Sequence, residues 1–130
     1  YINSDPYTKA GIFEAIAVER WKPALDVRQR DYPRREGTMQ FVIHCHDKPD
    51  GRARRAPLED AHAAYMKAQR GIIVARGALL DDDGAKNIGA VAILDVADRA
   101  EAEAFWAGAP FNRGGIYEWT TIECWRFGHV

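Results

Sequence analysis

The chain has 130 residues, 47% of them hydrophobic, with 18 basic side chains set against 19 acidic ones. That length suits one compact domain able to bury a core without staples, and a formal net charge of −1 excludes the basic excess of a nucleic-acid binder. No apolar run nears the roughly 20 residues of a membrane span, nothing at the N-terminus reads as a signal peptide, and Cys45 and Cys124 are too few for a disulfide scaffold, so a cytoplasmic protein touching neither membrane nor nucleic acid is expected.

The first element in chain order is a repeat. Residues 4–21 (SDPYTKAGIFEAIAVERW) align without gaps on residues 108–125 (GAPFNRGGIYEWTTIECW), with Pro6 on Pro110, Gly11 on Gly115, Ile12 on Ile116, Glu19 on Glu123 and Trp21 on Trp125. Turn and strand positions agree together, which predicts a duplication. Residues 1–25 therefore read as a partial copy, a last turn and strand, of the complete domain in residues 39–130. Between them residues 26–38 (DVRQRDYPRREGT) are charged, hold Pro33 and Gly37, and read as a linker. Residues 11–21 are predicted to be a β-strand, because an apolar strand left alone would strand its backbone groups. It is expected at a sheet edge, in the place of a last strand.

In the long piece, residues 39–46 (MQFVIHCH) alternate, with Phe41, Ile43 and Cys45 on one face and Val42, His44 and His46 on the other. A polar loop with Arg52, Arg54 and Arg55 follows, read as solvated. Pro57 suits the first turn of a helix running to about residue 70, which Gly71 ends. Residues 72–80 and 88–96 read as strands joined by the Asp81-Asp82-Asp83-Gly84 turn. Asp98 and Glu101 form a capping box for a helix through residue 106, and Gly114-Gly115 leads into a last strand over residues 116–127. The order βαββαβ predicts an α+β, ferredoxin-like antiparallel sheet with both helices on one face. Ile116, Trp119 and Trp125 are expected on the other face, as an apolar surface for a homodimer or higher homo-oligomer.

The run FVIHCHDKPD, the helix RRAPLEDAHAAYM, the hairpin GALLDDDGAKNIGAVAILDV and the ending AEAFWAGAPFNRGGIYEWTTIECWRF together resemble the YCII-related (YciI-like) proteins over residues 39–127. The resemblance implies a dimeric α+β barrel of ferredoxin-like halves. It also implies a histidine in the first helix working with an aspartate before a Pro-aromatic pair, and a kinship with a dehydrochlorinase of chlorinated hydroxyhydroquinones. His62 matches that histidine, while Ala109 stands at the aspartate's position. Asp5, in Asp5-Pro6-Tyr7 of the partial copy, keeps the family signature and is expected to pair with a His62 and restore the acid–base couple.

His44, His46 and Tyr65 complete the candidate substrate-binding set. The i, i+2 imidazoles also suggest a metal chelate with His62 as third ligand, but polar residues at a strand edge are the commoner outcome, and neither a metal nor a cofactor is expected. The expected function is small-molecule binding, as a cofactor-independent lyase or isomerase with a histidine acid/base. The alternative is a non-catalytic binding or assembly module that has lost the His–Asp pair.

Overall fold

The structure, a computed structural model, describes residues 11–23 and 36–128. Its elements are β1 (Arg20–Pro23), β2 (Met39–Asp47), α1 (Gly51–Arg55), α2 (Glu59–Ala68), β3 (Ile73–Leu80), β4 (Asn87–Val96), α3 (Arg99–Gly108), α4 (Pro110–Arg113) and β5 (Tyr117–Trp125). One antiparallel sheet has the order β1-β3-β4-β2-β5. Without β1 this is the βαββαβ ferredoxin-like sheet read from the sequence. Among the described residues, no helix is long and apolar enough to cross a membrane.

Pairing across the sheet sorts the side chains. Ile43 lies opposite Ala92 and Ile122, and Cys45 opposite Ala90 and Thr120. Phe41, Ile43, Cys45, Ala92, Leu94 and Val96 pack with Met66, Ala102, Phe105 and Trp106 as the core between sheet and helices. Pro57 sits in a 3₁₀ turn over Ala56–Leu58, so the first helical stretch is broken into α1 and α2. The α3 cap forms much as expected: the Asp98 side chain accepts the Glu101 N–H at 2.9 Å, while Glu101 reaches back to the N–H of Ala97 rather than of Asp98. In the hairpin, Asp81 Oδ1 accepts the N–H groups of Ala85 and Lys86, and Gly84 takes φ 77°, a left-handed conformation that glycine adopts without a Cβ clash.

Two expectations are corrected. The N-terminal strand covers Arg20–Pro23 instead of residues 11–21; residues 11–19 form no strand. It adds to β3, the edge opposite β5 and therefore not the place of a last strand. The reason is local: β3 offers a free edge and Gly77 lets a chain come close. A Cβ on Gly77 would press into the Lys22 carbonyl and Trp21 Nε1. Ile116, expected on the open sheet face, is instead fully buried, and its carbonyl accepts the Lys48 N–H at 2.8 Å. Trp119 remains exposed there.

Gly77→Ala is accordingly expected to cost about 1–3 kcal/mol, the usual range for an overpacked site. Amide exchange should show protection lost over Arg20–Pro23 and kept over Met39–Asp47. Unchanged protection of Arg20–Pro23 would contradict the close approach.

Candidate active site

A cavity of about 330 Å³ lies between the helices and the sheet, with His62, Arg55, Arg76, Lys22, Phe111 and Tyr117 among its walls. His62 is carried on α2 and buried, as the apolar side of that helix requires. Its ring stacks on Phe111, with centroids 3.8 Å apart and planes 8° from parallel. Its Nδ1 accepts the Phe111 backbone N–H at 3.3 Å. That bond assigns the tautomer: Nδ1 carries a lone pair, so the proton of the neutral ring is on Nε2.

Burial, and then the nearby Arg76 and Arg55 charges, lower the His62 pKa from 6.5 to about 4. At neutral pH the ring is uncharged. It offers an Nε2–H donor and has its only lone pair engaged.

Three cations reach this space from three elements. Arg55 ends α1 and is buried against Asp47, with Nη1 to Oδ2 2.5 Å and Nη2 to Oδ1 3.0 Å, and its guanidinium sits 5.4 Å from the Phe111 ring centroid. Burial raises the Asp47 carboxyl above its ordinary pKa, although the Arg55 charge and hydrogen bonds pull it down. Arg76 comes from β3, and among the described residues it has no carboxylate at ion-pair distance. Lys22 comes from β1, opposite Ala78 on the helix side of the sheet. Among the described residues no carboxylate lines the cavity, and with Arg55 balanced by Asp47 its positive charge comes from Arg76 and Lys22.

Cys45 and Tyr117 also line it but stay protonated. Burial pushes the Cys45 thiol up to about 12 and raises Tyr117 well above its ordinary value. A thiolate nucleophile is therefore not formed at neutral pH.

The residues expected from the sequence divide sharply. His62 is in the cavity. Tyr65 is not: its hydroxyl donates to the Phe105 carbonyl at 2.7 Å and ties α2 to α3. His44 and His46 are not either, since strand alternation puts them on the face away from the helices. The chelate with His62 as third ligand is thereby excluded, because the sheet separates them. There they meet Glu19, with His44 Nε2 3.1 Å from Oε1 and His46 Nε2 2.5 Å from Oε2. Asp5 lies outside the described residues. Ala109, fully buried, takes the N-cap place of α4 with φ −67° and ψ 126°, and the Phe111 N–H two residues on becomes the partner of His62. In place of the expected solvated loop, Gly51–Arg55 form helix α1, on which Arg52 and Arg54 are exposed but Arg55 is buried.

A model of the YCII-related domain matches residues 39–126. The chain belongs to the YCII-related domain family. This YCII-related chain is also similar to a solved 5-chloro-2-hydroxyhydroquinone dehydrochlorinase from Burkholderia phenoliruptrix AC1100, in complex with 2,5-dihydroxybenzoquinone. They share 26% identity at a TM-score of 0.63, over 69% of this chain and 96% of that one. A protein provisionally described as a monooxygenase from Lactobacillus acidophilus NCFM aligns at 8% identity and a TM-score of 0.43, over 69% of this chain and 44% of that one, too distant to bear on function. No curated protein matches the chain significantly. Glu19 and Lys22 precede the matched residues, so both reach the sheet from outside the family domain.

Proposed function

We propose that the cavity binds a small planar oxyanion of the phenolate or hydroxyquinone class and directs lyase-type chemistry on it. The observation that carries this reading is the pairing of positive charge with aromatic walls. Arg55, Arg76 and Lys22 converge on a space faced by Trp106, Phe111 and Tyr117, with no carboxylate among the described lining residues. Its volume falls in the range of small-molecule pockets. Hydroxyquinones are vinylogous acids, so such a ligand brings the charge the arginines favour. The likeness to the dehydrochlorinase, and the quinone in that enzyme's complex, supports the same class.

His62 acts in this reading as a neutral donor. Its Nε2–H would stabilise charge gathering on a ligand oxygen, as preorganised donors do. It would not serve as the base, because Nδ1 is held by the Phe111 N–H. A proton lost by the ligand would then pass to water or a basic ligand oxygen, with the cations stabilising the anion formed.

A second reading is favoured by Ala109. With no carboxylate at that position and a backbone donor on His62, the domain binds such anions without turning them over.

The test is a titration with 2,5-dihydroxybenzoquinone followed by absorbance, and incubation with 5-chloro-2-hydroxyhydroquinone followed by chloride release. Saturable binding is expected. Arg76→Gln should weaken it about 10- to 100-fold, the worth of a hydrogen bond to a charged group. Chloride release above the uncatalysed rate supports the lyase; binding without release supports the non-catalytic module. Binding that Arg76→Gln leaves unchanged would remove both.

A further inference from the structure

Glu19, His44 and His46 form a second cluster, separated from the cavity by the sheet. Alternation along β2 places both imidazoles on one face two residues apart. Glu19 comes to them from the segment just before β1 and presents one carboxylate oxygen to each Nε2, at 3.1 Å and 2.5 Å. All three ligating groups lie within 4.8 Å of one another. Donors bound about 2.0–2.1 Å from a tetrahedral zinc stand about 3.3 Å apart, so little movement separates this cluster from a coordination shell.

The rings are also held in place. Trp119 stacks on His46 with centroids 4.7 Å apart and 19° between planes, and meets His44 edge-on at 5.0 Å. The His44, His46 and Glu19 side chains keep 32%, 27% and 19% of their surface accessible, which leaves an ion a route in and a free position once bound.

We propose that Glu19, His44 and His46 bind one divalent transition cation of the zinc class, leaving a coordination position open to water or an anion. Two imidazoles with one carboxylate suit zinc, cobalt or nickel and disfavour magnesium and calcium, which take oxygen ligands. Three protein ligands and an open position are the pattern of a reactive rather than a closed structural zinc site. The cation also fastens the segment before β1 to the interior strand β2. The site shares no residue with the oxyanion cavity on the helix side.

The test uses the tag-free full chain, titrated with zinc by calorimetry and with cobalt by its visible spectrum. One ion per chain is expected, with the intense bands of four- or five-coordinate cobalt. Glu19→Gln and His46→Ala should each weaken binding at least tenfold, a loss that even residues supporting the ligands produce. Cys124→Ser, which removes an exposed thiol, should leave binding unchanged. Magnesium should not compete. Absence of saturable zinc binding overturns the proposal, as does binding equally tight in Glu19→Gln. That variant is nearly isosteric and sits outside the core, so its circular dichroism should match the parent and keep the comparison valid should His46→Ala misfold.

Discussion

Asp47→Ala is expected to lower the unfolding free energy by about 3–5 kcal/mol, the range for stripping one partner from a buried ion pair. Asp47 is the carboxylate paired with Arg55, and their side chains keep only 7% and 9% of their surface. The variant leaves a guanidinium buried beside Arg76 and His62 with nothing to balance it. The raised pKa of Asp47 shows that burial costs the carboxyl more than Arg55 returns. The pair is thus expensive to break without being a large source of stability. Replacing both residues, as in Asp47→Leu with Arg55→Met, should restore most of the loss. Urea unfolding of the single and double variants measures this, and a loss under 1 kcal/mol in Asp47→Ala would contradict the burial assigned to the pair.

The second large effect is a pH dependence. The His62 pKa falls from its ordinary 6.5 to about 4 in the folded chain, so the unfolded chain binds a proton over that interval that the folded chain refuses. Stability from this group is full above pH 6.5 and is lost as pH falls toward 4, amounting to about 3 kcal/mol. His62→Gln keeps an acceptor for the Phe111 N–H and cannot titrate. Between pH 7 and pH 4 the parent should therefore lose about 3 kcal/mol more than His62→Gln, which cancels contributions from Asp47 and other carboxyls. Parallel stability curves would show that His62 takes up its proton in the folded state.

The sheet was legible because its signals are periodic. Alternation in β2, the aspartate turn before β4 and the Asp98 cap each follow from short-range rules. His62 was legible through the family resemblance, which implies a histidine in the first helix; its place on the apolar side of the helix alone fits a core-edge residue equally well. Arg76 was not. Strict alternation from Ile73 places it on the face away from the helices, but the register shift between Ile73 and Ala75 turns the strand over and brings Arg76 opposite Ala92, toward the cavity. An irregularity of one residue leaves no trace in composition, although an arginine amid IVARGALL was a signal that the strand holds more than a core.

Arg55 was misread through its neighbours. It differs from Arg52 and Arg54 only in the helical face that α1 turns inward, and only Asp47, eight residues back, makes that burial tolerable. Glu19 and Lys22 escaped because β1 joins an edge far from its place in the chain. The repeat with residues 108–125 suggested a strand like β5, whereas tertiary pairing selected four residues with a different partner.

The shortest strand therefore positions residues of both proposed sites. β1 has four residues and hydrogen-bonds to β3 alone, so it belongs to the elements that open well before the core does. Yet Lys22 lies within it and Glu19 immediately before it. A ligand that needs Lys22 meets only the population in which β1 is docked, and its apparent affinity is reduced by that fraction. A chain undocked half of the time would show a Kd about doubled with no contact to the ligand altered. If Glu19 holds a cation as proposed, that cation would favour the docked population and tighten binding in the cavity, and by reciprocity the oxyanion would tighten the cation. The two faces of the sheet would then communicate through the docking of one short strand.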